Sequence, residues 1–171
     1  MRFLLLLVLF ATAFADLSAI ESASRSRLSS NSASGQDVGP RDDRDDPLRT
    51  LASYYEAINS KDYRRAYRFW ESPESSFERF VAGFAGTDRV RLLVEPSTRV
   101  EGAAGSAYAE ITTVVVATTR AGNERVFAGC YTLRRSNVRN NDWRIYRADI
   151  STMPSSARVS RMLSQGCRNS R

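Results

Sequence analysis

Residues 106–119 read Ser-Ala-Tyr-Ala-Glu-Ile-Thr-Thr-Val-Val-Val-Ala-Thr-Thr, and this stretch decides the fold class. It is rich in valine and threonine, whose branched side chains suit a pleated surface, so it predicts a long strand. Ile111, Val115 and Ala117 fall on one face, while Glu110, Val114 and Val116 fall on the other. Both faces carry apolar residues, so alternation alone does not separate a core face from a solvent face.

Working outward, strand signals continue on the C-terminal side. Ala121-Gly122-Asn123 reads as a hairpin turn, residues 125–135 as a returning strand, 137–141 as a polar loop and 142–150 as a final strand. On the N-terminal side Gly102 and Gly105 flank a turn, and residues 89–95 form a strand closed by Pro96. Before that point the period is helical. Asp46 caps a helix with Pro47 in its first position, and Leu48, Leu51, Tyr55 and Ile58 make one apolar stripe. Asn59 and Ser60 break it. Asp62 caps a second helix in which Tyr63, Ala66, Tyr67 and Trp70 share a face, and Pro73 stops it. Ser75 or Ser76 caps a third, short helix with Phe77, Phe80, Val81 and Phe84 on one side and Gly86 just past its end. Helices followed by strands argue an α+β fold: a curved antiparallel sheet packed against N-terminal helices. After Pro154, Ser155 or Ser156 caps a short C-terminal helix with Val159, Met162 and Leu163 as its apolar face, ended by Gly166.

The start of the chain has a different character. Met1 and Arg2 precede an unbroken apolar run, and Ala13-Phe14-Ala15 ends it, the pattern of a signal peptide cleaved after Ala15. The run is shorter than the roughly 20 residues that a membrane span needs, so no transmembrane segment is expected. Residues 16–46 are serine-rich, lack aromatics and close on Arg41-Asp42-Asp43-Arg44-Asp45-Asp46. Such a stretch buries too little apolar surface to offset its ordering entropy. The expected organisation is a signal peptide at 1–15, a disordered spacer at 16–46, an α+β domain at 47–152 and a tail helix at 153–171. An exported chain lives in an oxidising compartment, where Cys130 and Cys167, the only two cysteines, are expected to form a bridge tethering the tail.

Charge and motifs exclude several functions. The formal net charge is +6, from 25 basic and 19 acidic residues, and Lys61 is the only lysine. That mild excess is not the dense cluster a nucleic-acid groove needs, so nucleic acid is not an expected partner. Arg125, Arg134, Arg135, Arg144 and Arg147 lie on expected strands, as a solvated basic face or an anion-binding one. The chain has no histidine, which removes Ser-His-Asp and Cys-His catalysis and every metal site built on imidazole. No phosphate-binding or dinucleotide glycine pattern is present, so no cofactor and no metal is expected.

The stretch Tyr54-Tyr55-Glu56-Ala57-Ile58-Asn59-Ser60-Lys61-Asp62-Tyr63-Arg64-Arg65-Ala66-Tyr67 resembles the opening of the nuclear transport factor two-like superfamily. There a first helix ends in a small polar turn, and a second begins at an aspartate followed by an aromatic residue. Asp142-Trp143-Arg144-Ile145 is similar to that superfamily's last strand. The resemblance implies a cone-shaped α+β domain with a space between helices and sheet. It implies shape and no single activity, because the superfamily hosts isomerases, dehydratases, cyclases, transport adaptors and exported modules. The histidine–aspartate dyad of its dehydratases is missing here. Its steroid isomerases use tyrosine and carboxylic acids instead, and this chain has Glu110 and Asp149 on expected strands, facing either a cavity or arginines such as Arg120, Arg134 and Arg147.

Candidate pocket-lining residues are Tyr55, Tyr63, Tyr67, Trp70, Phe80, Tyr108 and Tyr131, which otherwise fill the core. The reading that follows is an exported, non-enzymatic small binding or accessory domain, taking a small apolar ligand or a cell-envelope component. The alternative is a small isomerase or lyase working in the cone cavity through tyrosine and carboxylate groups.

Overall fold

The structure, a computed structural model, describes residues 42–95, 98–138, 141–154 and 158–167. The expected signal peptide and the spacer as far as residue 41 lie outside the described residues, as do Pro96, Ser155 and Ser156. In chain order the elements are α1 (Pro47–Asn59), α2 (Tyr63–Tyr67), α3 (Phe77–Gly83), β1 (Thr87–Val94), β2 (Arg99–Ala103), β3 (Ser106–Thr119), β4 (Glu124–Ser136), β5 (Trp143–Met153) and α4 (Val159–Gln165). This is the α+β arrangement that the change of period predicts, an antiparallel sheet packed against N-terminal helices with a short C-terminal helix.

β3 is the hub of the five-stranded sheet. It pairs with β4 along its whole length on one edge and with β1 and β2 in turn on the other, and β5 follows outside β4. Its two apolar faces are both covered. Ala109, Ile111 and Val115 meet Leu51 and Ile58 of α1, together with Leu133 and Ile145. Val114 and Val116, on the opposite face, meet Met162 of α4. Double-sided burial explains the missing alternation in 106–119, as in any strand enclosed from both sides. Each buried Val or Ile contributes about 1.5–3 kcal/mol. The Cys130–Cys167 disulfide, with Cα atoms 5.6 Å apart, fastens the tail to β4 beside that second cluster.

Local chemistry sets the helix ends. Asp46 accepts from the Arg49 amide at the start of α1, and Ser76 accepts from the Arg79 amide at the start of α3. At the end of α1 the Lys61 amide donates to the Ile58 carbonyl and the Asp62 amide to the Ala57 carbonyl, which satisfies two orphan acceptors of the last turn. Lys61 takes the left-handed conformation (φ 62°) that this stop requires. Its Nζ then donates to the Thr87 and Asp88 carbonyls. Asn59 does more. Its side-chain amide donates to the Val90 carbonyl at 2.8 Å and accepts from the Val90 amide at 2.7 Å. One side chain thereby pairs with the outer edge of β1 as a neighbouring strand would, leaving that edge less open to foreign strands.

The structure departs from the sequence reading at four places. The second helix stops at Tyr67 rather than running through Trp70. The Ile145 amide donates to the Phe69 carbonyl and the Glu71 amide to the Ile145 carbonyl, so the backbone there pairs with β5 and cannot stay helical. The turn flanked by Gly102 and Gly105 belongs to an unexpected hairpin, β2–β3, closed by Ala104 and Gly105 at φ 44° and 76°. The N-cap of α4 is Arg158, with no side-chain cap bond, instead of a serine. Finally, residues 42–46, which the sequence places in the spacer, lie against the domain. Arg65, buried to 5% exposure, holds Asp42 at 2.7 Å and Glu56 at 3.0 Å. Arg44 sits over the Phe69 ring at 4.3 Å, and its carbonyl accepts from the Trp143 amide. Charge alternation in the run reads as solvated when counted along the chain, but it meets fixed partners in space.

Two stability measurements follow. Reducing the disulfide, which closes a loop with a sequence separation of 37, is expected to lower unfolding stability by about 4 kcal/mol and to open the tail to protease. Two reactive thiols in native protein, or an unchanged denaturation midpoint on reduction, would count against the tether. Asn59→Ala should cost about 1–3 kcal/mol in chemical denaturation, because it orphans both polar groups of Val90.

Candidate functional site

Between the helices and the sheet lies a cavity of about 540 Å³. Tyr54 and Tyr55 enter it from α1, Trp70 and Ser75 from the connection to α3, and Phe80 and Phe84 from α3. Val90, Val115, Phe127, Tyr131 and Ile150 form the sheet wall, with the small residues Ala117 and Ala148 among them. Those alanines leave the volume that larger side chains would fill. At Gly83 and Gly86, also in the lining, an added Cβ would meet no atom within 4 Å.

The deep polar feature is a pair of phenols. The Tyr55 and Tyr131 hydroxyls are 2.6 Å apart, on side chains that are 5% and 2% exposed. One hydroxyl donates to the other, which leaves a single O–H free to donate elsewhere. Burial pushes the Tyr131 phenol up to about 12, against the opposing effect of its bond to Tyr55. Burial also raises Tyr55 and Tyr54 well above the usual phenol range, and the nearby Tyr131 adds to it. The Trp70 indole N–H is buried with no hydrogen-bond partner, although it lies close enough to Tyr54 to favour that phenol's charged form. At the exposed end the lining includes Arg79 and Arg125. Among the described residues, no Asp or Glu lines this cavity.

Four of the seven candidate pocket residues, Tyr55, Trp70, Phe80 and Tyr131, come together here. The other three go elsewhere. Tyr63 stacks on Phe84 with ring centres 5.9 Å apart. Tyr67 packs edge-on against Phe77 and Phe80, and its hydroxyl donates to the Ser75 carbonyl, so it supports α3 from behind. Tyr108 meets Tyr146 at 5.9 Å beside a separate shallow surface pocket. Sequence reasoning missed Tyr54, whose signal was its place three residues after Leu51 on the same helical face, and it missed the alanines, whose role depends on what faces them.

The carboxylates weighed for catalysis are placed away from the cavity. Glu110 is exposed in the shallow pocket that also holds Arg99 and Arg147. Asp149 lies in the strand row Thr112–Cys130–Asp149, beside the disulfide, and pairs with Arg147 at 2.8 Å. The strand arginines do not form one basic face: Arg134 pairs with Glu71, Arg135 lies over the Trp143 ring, and Arg125 reaches the cavity. No helix among the described residues is long and apolar enough to cross a membrane.

No family model matches the chain, and no curated protein matches it. Solved structures do. One is a nuclear transport factor 2-like superfamily protein from Salmonella enterica serovar Typhimurium, at 16% identity over 63% of this chain and 88% of that one, with a TM-score of 0.46. A second is a protein of unknown function from Mycobacterium tuberculosis, at 20% identity over 66% and 70%, with a TM-score of 0.45. A third is a nuclear transport factor 2-like protein with a cystatin-like fold from Novosphingobium aromaticivorans, at 20% identity over 88% and 99%, with a TM-score of 0.45. Two of these carry the superfamily name that the residues of α1, α2 and β5 resemble.

The buried phenols make alkaline stability a test of this geometry. A raised folded pKa means that their contribution is complete below about pH 10, where a free phenol also keeps its proton. It is lost as the pH climbs toward the folded values. Unfolding stability should therefore fall from about pH 10 upward, and Tyr131→Phe should make that decline shallower. Absorbance titration at 295 nm should find Tyr54, Tyr55 and Tyr131 ionising last, and together with unfolding.

Proposed function

We propose that this chain is an exported, non-enzymatic binding domain for a small, largely apolar molecule that carries a hydrogen-bonding oxygen. The cavity carries the reading: about 540 Å³, walled by aromatic and aliphatic side chains, with few polar groups at its deep end. Ligand sites have this composition and this size, and a filled core would have neither. The phenol pair suits recognition better than proton transfer. A general acid or base works best with a pKa near the operating pH, and burial drives Tyr55 and Tyr131 away from it. Glu110 and Asp149, the bases that an isomerase would call on, stand outside the lining. The Cys130–Cys167 disulfide supports export, since such bonds persist in oxidising compartments, and the apolar start of the sequence supports it too.

The direct test is titration with N-phenyl-1-naphthylamine, a neutral dye that fluoresces in apolar surroundings. Saturable one-to-one binding is expected, and Ala148→Phe, which places a ring in the cavity from the sheet wall, should weaken it at least ~10-fold (about 1.4 kcal/mol) with the fold retained. Dye that fails to saturate, or that binds the folded Ala148→Phe variant equally well, would contradict the reading.

A further inference from the structure

We infer that the cavity selects an apolar acid: a molecule with a hydrophobic body whose single anionic group rests at the mouth between Arg79 and Arg125. This rests on the binding-domain reading and names its ligand class. The argument is an inventory of what the lining can donate and accept. Arg79 and Arg125 are donors only, and so is the Trp70 indole, whose N–H lies beside the Tyr54 hydroxyl. The Tyr55–Tyr131 pair has satisfied one of its two protons internally and holds the other for an acceptor. Side-chain acceptors reduce to hydroxyls such as those of Ser75, Thr87 and Thr119, each of which is also a donor. No carboxylate faces this space among the described residues. An amine could donate to those hydroxyls, but its positive charge would meet like charge at Arg79 and Arg125. An acceptor-bearing anion matches every group.

The two arginines are also not taken up by carboxylates, in contrast to six others of this chain. Arg44, Arg49, Arg65, Arg99, Arg134 and Arg147 each hold a carboxylate within 4.0 Å. Arg79 and Arg125 form no ion pair among the described residues, and both are exposed at the open end of an apolar chamber. Arg79 comes from α3 and Arg125 from the start of β4, so helix and sheet each bring one exposed charge to the lining of this cavity. Beside a low-dielectric wall such charges attract an anion more strongly than free in water.

The test displaces N-phenyl-1-naphthylamine with three ligands of equal chain length: decanoate, decan-1-ol and decylamine. Decanoate should displace the dye at about tenfold lower concentration than decylamine, with the alcohol between them, and high salt should erode that order. Arg79→Gln with Arg125→Gln, both exposed positions, should abolish the preference for decanoate, so that decanoate and decan-1-ol displace the dye at similar concentrations. Equal displacement by all three ligands, or a decanoate preference that survives in the double variant, would overturn the inference while the binding-domain reading stands. Absence of dye binding, and of any Trp70 fluorescence change with decanoate, would remove both.

Discussion

Ile145 exchanges two backbone hydrogen bonds with the chain on either side of Trp70, and the shape of the site depends on that exchange. Because Phe69 and Glu71 pair with β5, the chain must leave the helical conformation at Tyr67. Phe69 is then buried completely in the core, beneath the guanidinium of Arg44. Trp70 points its ring along the cavity wall next to Tyr54, with ring centres 6.2 Å apart. A longer helix would have carried Trp70 on the stripe shared with Tyr63 and Tyr67. The space between α3 and the sheet begins where this pairing ends the helix.

Around that space several edges and faces are held by specific contacts. β3 is enclosed on both faces, the outer edge of β1 is occupied by Asn59 and Lys61, and Arg65 has a carboxylate on each side. The cavity lining, by contrast, leaves dispersion contacts unmade, and a void of this kind costs stability in proportion to its size.

The fold alone says little about what the site does, since one fold hosts unrelated activities. What distinguishes this one is its chemical inventory. Histidine is absent from the whole chain, the carboxylates weighed for catalysis sit on other surfaces, and the phenols keep their protons because they are buried. What the lining offers is hydrogen-bond donation and apolar contact, and this supports the binding role proposed above.

Much of this was legible along the chain. The caps Asp46 and Asp62, the stripe of α1, the length of β3 and the pairing of two cysteines follow from local rules, because capping, periodicity and oxidation depend on neighbours or on counting. The candidate site was legible only in part: Tyr55, Trp70, Phe80 and Tyr131 meet in the cavity, while Tyr63, Tyr67 and Tyr108, equal to them in type, are placed elsewhere. An aromatic at helical spacing reads the same whether it fills a core or lines a void. Residue types and local periodicity by themselves determined the helices, the strands other than β2, their order, and that imidazole chemistry is absent from the sequence. Tertiary structure alone decided where α2 stops, that residues 42–46 join the domain, which hydroxyls touch and that two arginines line one cavity, because each of these is set by partners far away in sequence.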